Sequence, residues 1–560
     1  MKLFNNIFLS ACVAGAALSM ASCVDDLDLK PTDPRSIVSE QFKTNPEQYM
    51  KQLIADCYLQ YATYGVNGDA SVQKFDGGMS TFQRAVFLLE EAITDEASWI
   101  PNDADYGTFQ YGIIPANNTV VMGTYSRLFI NIACCNQFIQ TVNAGYFAIE
   151  GNEKLEKLAK DLIRQARILR AGAYYYAIDC FGNVPYMDEN TPMGVTGAQL
   201  GRAEITRKVV SDLETIVAEY KAEDPDQKPP YGYVGLDVAE ALLVKFYLNY
   251  GVYTGTPDWT SCISHAEAII ERLKGAGFQG TGLTEAYHQN FAYNNKNFAI
   301  GGASPVNEII WTIPQANPQL LSYANGTFMV NGWVGTSTPD TKWQCDPKAL
   351  YNTGNAGWKC IVARREFVEK FDWDASYSVS PDIRTKLWMT AANGFGIDNI
   401  SLSQADYGNN GFLAVKFTNW AIDDNGNIDR DNSPAPTDQL GLDYPMIRLA
   451  EIYLSAAEAY LNTGNEDMAV KYTNYIRERA GMPPFTQLTP ALLRDERCRE
   501  LYTESTRRTD LIRYNQWISG YTWAWKNYRQ QGGDFASNFD LFPIPSSVVT
   551  RNGYTQNPGY

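Results

Sequence analysis

The sequence predicts a mostly α-helical protein that is built from antiparallel helix pairs and carries a long loop-rich region with few short strands. Apolar residues recur at spacings of three and four in several stretches, which is the pattern of amphipathic helices. In two places such a helix is followed by a short glycine-containing turn and a second helix. Between these two places, residues from about 280–445 are rich in Gly, Asn, Thr, Trp and Asp and show weak helical periodicity.

The two helix pairs lie in different parts of the chain. One starts with "LDVAEALLVKFYLNYGVYTG" at Leu236 and continues with "DWTSCISHAEAIIERL" from Asp258. The other starts with "RLAEIYLSAAEAYLNTGN" at Arg448 and continues with "EDMAVKYTNYIRERAG" from Glu466. The pairs resemble tetratricopeptide units, but their spacing is too irregular for an uninterrupted solenoid. We therefore expect an α-α superhelical scaffold of tetratricopeptide-like helix pairs with long excursions between them.

Other stretches add to this scaffold. The stretch "EKLAKDLIRQARILRAGAYYYAIDCFG", from Glu156 to Gly182, predicts a long helix that ends on a glycine. Residues 494–514 are dense in arginine and acidic residues at helical spacing and predict a salt-bridged helix. In the loop-rich region, "EIIWTI" from Glu308 and "FLAVKF" from Phe412 predict short strands. Because loops this long inside a compact protein are usually functional, we expect binding residues in this region.

The N-terminus has the pattern of an export signal. An uncharged apolar run from Ile7 to Met20 is shorter than the ~20 residues that a membrane-spanning helix needs. Small residues follow it and lead into Cys23, which resembles a bacterial lipoprotein box whose cysteine becomes the lipidated first residue. The alternative is an ordinary signal peptide with an incidental cysteine. We predict a lipoprotein signal peptide over residues 1–22 and a single domain over residues 23–560.

Composition narrows the function classes. The chain has 46 basic and 63 acidic residues, a formal net charge of −17. Proteins that bind nucleic acid neutralise phosphates with Lys and Arg, so this balance disfavours that class. The two histidines and the lack of a GxSxG elbow near either one disfavour a nucleophilic hydrolase. The 35 Tyr, 25 Phe and 12 Trp residues supply rings for the core and for ligand contacts.

An ordered series of sequence blocks resembles a known family. It runs through "RQARILRAGAYYYAIDCFGNVPY" from Arg164 and "YPMIRLAEIYLSAAEAYLNTGN" from Tyr444, and ends with "LFPIPSSVVTRNGYTQNPGY" from Leu541. These blocks resemble the SusD/RagB family of outer-membrane nutrient-binding lipoproteins. "TDEASWIPND" from Thr94 and "GWKCIVARREFVEKF" from Gly357 resemble, more loosely, its starch-binding branch.

The resemblance implies a function without catalysis. It implies a lipid-anchored protein of the outer membrane that faces the cell exterior, binds a starch-like or other glycan, and delivers it to a TonB-dependent transporter of the SusC type. No cofactor is implied. Two alternatives remain: a glycoside hydrolase on a helical scaffold, which would need two carboxylates at a defined separation, and a helical-repeat scaffold that binds only protein.

The same resemblance points to candidate ligand-binding residues in the loop after "TDEAS". In starch-binding relatives the matching loop contributes an aromatic ring and an asparagine, and here Trp99, Asn102 and Tyr106 are available. A ring covers the C–H face of a sugar, and amides or hydroxyls bond its hydroxyl groups. Pro101 stands where the relatives have a second tryptophan, so the starch-type geometry is altered.

Further candidates lie in the loop-rich region. These are Tyr323 and Phe328 in "SYANGTFMVNGW" and Trp358 in "NAGWKC", which resemble the regions that form the aromatic platform of the starch-binding branch. For each of these rings, and for Trp99, packing in the core is the alternative interpretation.

One acidic segment is a candidate for a structural calcium ion. Oxygen-bearing side chains alternate at Asp423, Asn425, Asn427 and Asp429, as at the start of a calcium-binding loop. Ile428 occupies the position of the expected glycine, and no bidentate glutamate follows at the right distance. The alternative interpretation is a solvated turn.

Overall fold

The computed structural model describes residues 42–63, 81–99, 105, 107–108, 111–315, 323–334, 347–354, 357–398 and 411–560. About half of the chain is helical, as the sequence predicts. The helices of the first half are α1 (Pro46–Ala62), α2 (Phe82–Glu90), α3 (Thr119–Asn143), α4 (Glu153–Phe181), α5 (Arg202–Glu223), α6 (Leu236–Leu248), α7 (Tyr250–Thr254) and α8 (Trp259–Leu273).

The second half carries shorter helices and the C-terminal scaffold. Its helices are α9 (Asn325–Asn331), α10 (Pro347–Tyr351), α11 (Arg365–Val368), α12 (Leu449–Asn462), α13 (Glu466–Arg479), α14 (Pro490–Leu501), α15 (Arg507–Arg513) and α16 (Ser546–Asn552). The strands are β1 (Ala97–Trp99), β2 (Ile309–Ile313), β3 (Ile361–Ala363), β4 (Ala421–Ile422), β5 (Ile428–Asp429) and β6 (Tyr444–Arg448).

Both predicted helix pairs are present and pack on each other. Helix α6 packs against α8, α12 packs against α13, and α8 joins the two pairs by packing against α12. The polar residue before each second helix caps it. Asp258 accepts a hydrogen bond from the amide of Ser261 at 3.0 Å, and Asn465 accepts one from Met468 at 3.3 Å. An N-terminal cap of this kind involves residues within one helical turn of each other, which is why the sequence predicts these helix starts well.

The long helix α4 ends at the predicted glycine. Gly182 adopts a φ of 65°, and its amide donates to the carbonyl of Ala177 at 3.2 Å. A second glycine, Gly172, lies in the middle of the helix, where glycine is normally unfavourable. A Cβ atom at this position would lie 2.6 Å from the indole of Trp311, so the missing side chain lets β2 approach the helix.

The strands form three antiparallel two-stranded ribbons: β1 with β3, β2 with β6, and β4 with β5. The strand prediction for "EIIWTI" is confirmed, because it forms β2. The strand prediction for "FLAVKF" is wrong, because this described segment has one isolated bridge, from Leu413 to Met389, and no ladder. Residues 412–417 are buried throughout, and the segment contacts strands without joining a ladder: the amide of Ala363 donates to the carbonyl of Phe412 at 2.8 Å, and Phe417 stacks on Tyr444.

The arginine-rich segment 494–514 is two helices rather than one. Helices α14 and α15 are separated by a turn in which Thr503 and Ser505 have φ values of 65° and 60°. Some pairs have helical spacing, but the deeply buried ones are long-range, such as Arg507 with Asp95 at 2.7 Å. Helical spacing alone gave no sign of these contacts to distant acids.

The membrane-related predictions concern residues outside the described ones, since Cys23 and the boundary between residues 22 and 23 precede residue 42. Across the part of the chain that the structure covers, none of the helices combines the length and the apolar character that a membrane crossing requires.

Candidate functional site

Four of the predicted ligand-binding residues form one aromatic cluster. The ring centroids of Trp99 and Phe328 are 6.5 Å apart, and those of Phe328 and Trp358 are 6.4 Å apart. Tyr323 continues the series at 6.1 Å from Trp358, with the two ring planes inclined at 59°. We call Trp99, Tyr323, Phe328 and Trp358 the first aromatic cluster. It gathers residues from three separate stretches of the chain, as a binding surface built by tertiary structure does.

The β1–β3 ribbon and helix α9 position these rings. Trp99 is the last residue of β1 and lies opposite Ile361 of β3. Trp358 precedes β3, and its amide donates to the carbonyl of Asn331, the last residue of α9, at 2.7 Å. Phe328 lies within the same helix, and Tyr323 lies just before it. The amides of Cys360 and Ile361 also donate to the carbonyl of Gly332, so several hydrogen bonds tie the ribbon to the end of the helix.

Exposure divides the cluster into an inner and an outer part. Tyr323 is 40% exposed and Trp358 is half-buried, so both rings can meet a ligand. Trp99 is only 2% exposed and Phe328 is fully buried, which agrees with the alternative interpretation of packing in the core. Ligand contact by these two rings stays a prediction. The Trp99 ring lies beside Phe328 and Arg84, and Phe328 also packs on Phe87 with centroids 5.4 Å apart. The inner rings support the outer ones.

Sequence reasoning missed a cation at the centre of the cluster. The guanidinium carbon of Arg84 lies 4.5 Å from the ring centroid of Phe328 and 5.4 Å from that of Trp358. Its distance from Trp99 is 6.0 Å. Cation–π attraction of this kind is worth more when the charge is desolvated, and Arg84 is 8% exposed. No local signal marks Arg84, because it lies in an ordinary apolar helix, α2, and meets these rings only through the fold.

The remaining two predicted contacts, Asn102 and Tyr106, lie outside the described residues. Asp105, which lies between them in the sequence, is described, and its carbonyl accepts a hydrogen bond from Asn118 Nδ2 at 2.9 Å. Its carboxylate also accepts from the amide of Thr119 at 3.3 Å, at the start of α3. Asn102 and Tyr106 remain predictions.

The calcium candidate segment forms the β4–β5 hairpin. Asp423 Oδ1 accepts hydrogen bonds from the amides of Asn425 and Asn427 at 2.9 and 2.7 Å. Hydrogen bonds from Asn432 to Asp429 lower the pKa of that carboxyl. Turns of this kind favour Asp and Asn for their own backbone bonding, which accounts for the alternating pattern. Calcium binding by Asp423, Asn425, Asn427 and Asp429 stays a prediction.

A separate group of potential metal ligands is already paired with a cation. Within the described ranges, Glu90, Asp179 and Cys180 bring ligand atoms close enough to hold an ion, and all three are buried. Arg508 Nη1 donates to Glu90 at 3.1 Å and to Asp179 at 2.7 Å. The guanidinium therefore supplies the positive charge that these carboxylates require.

Comparison with known proteins identifies full-length relatives. Residues 390–560 match the model of the SusD family. The whole chain is 27% identical to the starch-binding protein SusD of Bacteroides thetaiotaomicron, with 100% of this chain and 99% of that protein aligned. SusD-like protein P25 of Formosa agariphila is 22% identical, with 88% of each chain aligned.

Solved structures confirm the predicted fold. A SusD superfamily protein from Parabacteroides distasonis superposes with a TM-score of 0.65 at 20% identity, covering 92% of this chain and all of that chain. Surface glycan-binding protein A from Bacteroides thetaiotaomicron, solved in complex with laminarihexaose, superposes with a TM-score of 0.63 at 16% identity. The superposition covers 91% of this chain and 99% of the glycan-binding protein. The relatives are named as binding proteins and not as enzymes, in agreement with the prediction of a non-enzyme.

Proposed function

We propose that this chain is a member of the SusD family that binds a neutral glycan on Tyr323 and Trp358 and releases it chemically unchanged. The observation that carries the proposal is the arrangement of these two accessible rings over a buried support of Trp99, Phe328 and Arg84. Such rings offer apolar faces to sugar C–H groups without needing a metal or a titrating side chain. Binding by stacking and hydrogen bonds also requires no cofactor.

The ligand class follows from charge and from the relatives. A chain with a net charge of −17 repels polyanionic glycans over long range, which favours a neutral one. One relative is named for starch, an α-glucan, and one structural neighbour is described in complex with laminarihexaose, a β-glucan. Maltoheptaose and laminarihexaose are therefore the first probes.

The anchoring and delivery steps extend the proposal. Lipidation of Cys23 would hold the protein on the outer membrane, since several buried acyl chains at ~0.8 kcal/mol per methylene give stable attachment. There, facing the cell exterior, it would pass glycan to a TonB-dependent transporter of the SusC type. Replacement of Cys23 with alanine should release the protein from membranes. If the predicted partner is correct, the native protein should copurify with a large β-barrel transporter.

Isothermal titration calorimetry tests the binding site. Tyr323→Ala and Trp358→Ala should each weaken binding of the responsive probe by about tenfold or more, as loss of a central aromatic contact does. Trp420→Ala is the matched control, because Trp420 is half-buried and lies outside the first aromatic cluster. Unchanged affinity in both cluster variants would place the site elsewhere. Release of shorter sugars at enzymatic rates would instead support the glycoside hydrolase.

A further inference from the structure

A second group of aromatic side chains lies near the C-terminus and is not used in the site described above. The ring centroids of Tyr111 and Tyr528 are 5.4 Å apart, those of Tyr111 and Trp525 are 6.1 Å apart, and those of Trp525 and Tyr528 are 6.4 Å apart. Tyr528 is 57% exposed, Trp525 is half-buried and Tyr111 is buried beneath them. We call Tyr111, Trp525 and Tyr528 the second aromatic cluster.

The backbone that carries this cluster is strained. Trp525, Asn527 and Tyr528 have φ values of 69°, 54° and 56°, in the left-handed region that bulky residues rarely adopt. Conformations of this kind persist only where the surroundings enforce them, and they concentrate at functional sites. Two hydrogen bonds close the turn, from the amide of Trp525 to the carbonyl of Arg529 at 2.9 Å and from Tyr528 to Trp525 at 3.0 Å.

A buried anchor holds the strained turn in place. Lys526 is fully buried, and its Nζ donates inward to the carbonyl of Tyr521 at 2.7 Å. Asn527 Nδ2 donates to the carbonyl of Asp534 at 2.7 Å. Gly532 allows this closure, because a Cβ atom there would lie 2.0 Å from the hydroxyl of Thr522. The turn is therefore fixed from inside while the Tyr528 ring remains accessible.

The β1–β3 ribbon connects the two aromatic clusters. Trp358 lies just before β3, and Arg364 follows its last residue. Arg364 donates from Nε to the carbonyl of Ala97 at 3.0 Å and from Nη1 to the carbonyl of Ala524, beside Trp525, at 2.6 Å. An extended chain spans at most ~3.6 Å per residue, so the Cα atoms of Trp358 and Arg364 are separated by no more than about 22 Å.

We propose that the second aromatic cluster is a further subsite for the same neutral glucan chain, so that the protein binds long chains more tightly than short ones. This inference rests on the proposed function. Continuity with the first cluster along the ribbon favours a chain-like occupant. Three rings form a patch far smaller than the roughly 1,000 Å² that a stable protein interface needs. A ring that is already held in place also loses little conformational freedom when it stacks on a sugar.

Calorimetry on the full mature chain tests the subsite with two lengths of each glucan: maltotriose against maltoheptaose, and laminaritriose against laminarihexaose. Tyr528→Ala should weaken binding of the long member about fivefold and leave the trisaccharide unchanged, because only a long chain reaches both clusters. Tyr528→Asn removes the ring but keeps a residue that tolerates the left-handed conformation, so it controls for an effect on the turn. Tyr146→Ala is the matched control, since Tyr146 is 45% exposed and lies outside both clusters.

The outcomes separate this inference from the proposed function. If Trp358→Ala weakens binding of both the short and the long glucan, and Tyr528→Ala weakens binding of the long one only, the subsite is supported. If wild-type protein binds the long glucan and both Tyr528 variants bind it equally well, the subsite is overturned and the proposed function stands. If wild-type protein binds none of the four probes, the glucan assignment is overturned and the subsite with it.

Discussion

Arg448 and Glu308 form a fully buried ion pair, with Arg448 Nη1 donating to Glu308 Oε1 at 2.7 Å. Arg448 is the last residue of β6, and Glu308 immediately precedes β2. Arg479, at the end of α13, donates to the other oxygen of Glu308 at 2.6 Å, and Arg448 Nε donates to Glu504 at 2.7 Å. Ion pairs therefore join the β2–β6 ribbon to the end of α13 and to the turn between α14 and α15.

Removing Arg448 should destabilise the protein strongly. Arg448→Met leaves the carboxylates of Glu308 and Glu504 buried with one cation fewer, a change that typically costs about 3–5 kcal/mol. Urea unfolding followed by circular dichroism measures the loss. Arg365→Met is the matched control, because Arg365 pairs with Glu369 on the surface, where such pairs contribute ~0–1 kcal/mol. Equal losses in the two variants would contradict the argument.

Glu308 should make the protein less stable in acid. Burial alone would raise the pKa of Glu308, but Arg479 and Arg448 outweigh it and lower the pKa from 4.5 to about 2. A carboxyl whose folded-state pKa is depressed contributes stability above its unfolded pKa and loses it as pH falls. The contribution should therefore disappear between pH 4.5 and about 2. In Glu308→Gln, the free energy of unfolding should fall less steeply across this window than in wild type.

Glu90 should have the opposite effect. Burial and the neighbouring Asp179 raise its pKa to about 7, although Arg508 opposes the shift. A raised folded-state pKa gives stability that is complete below the unfolded value of 4.5 and is lost as pH rises through about 7. Glu90→Gln should flatten the decline in unfolding free energy between pH 4.5 and about 7. If the unfolding free energy declines just as steeply in this variant, groups other than Glu90 cause the decline.

The close approach of α4 and β2 should not tolerate a methyl group at Gly172. In Gly172→Ala the new Cβ would lie 2.6 Å from the Trp311 ring. Overpacking of this kind forces neighbouring side chains out of their preferred rotamers and typically costs about 1–3 kcal/mol. The double variant Gly172→Ala/Trp311→Phe should recover part of the loss relative to the sum of the single variants, as measured in a double-mutant cycle.

Trp99 should matter more for stability than Tyr323. Trp99→Ala empties a buried site and should cost about 3–5 kcal/mol, the usual range for truncating a core aromatic ring. Tyr323→Ala removes a ring that is 40% exposed and should leave the melting temperature nearly unchanged while weakening glucan binding. Thermal melts of both variants, beside titrations of Tyr323→Ala, measure the difference. A stable Trp99→Ala protein would contradict the inner position of this ring.

The sequence predicted the features that depend on neighbours along the chain. The helix pairs at Leu236 and Arg448, the start of a helix segment at Asp258 and the end of α4 at Gly182 all follow from apolar spacing and local stop signals. These features involve residues within a few positions of each other, so a single sequence contains the information. The resemblance of ordered blocks also pointed to aromatic residues that lie together in the structure, namely Trp99, Tyr323, Phe328 and Trp358.

Only the tertiary structure decided which of these rings face solvent. The sequence offers Trp99 and Tyr323 alike as aromatic candidates, but in the fold Trp99 lies beside Phe328 and Arg84 and is 2% exposed, whereas Tyr323 is 40% exposed. Arg84 joins the cluster from a helix that carries no binding signal, and Arg507 pairs with Asp95 across more than four hundred positions. Burial and charge pairing depend on which distant segments meet, and local periodicity carries no information about those meetings.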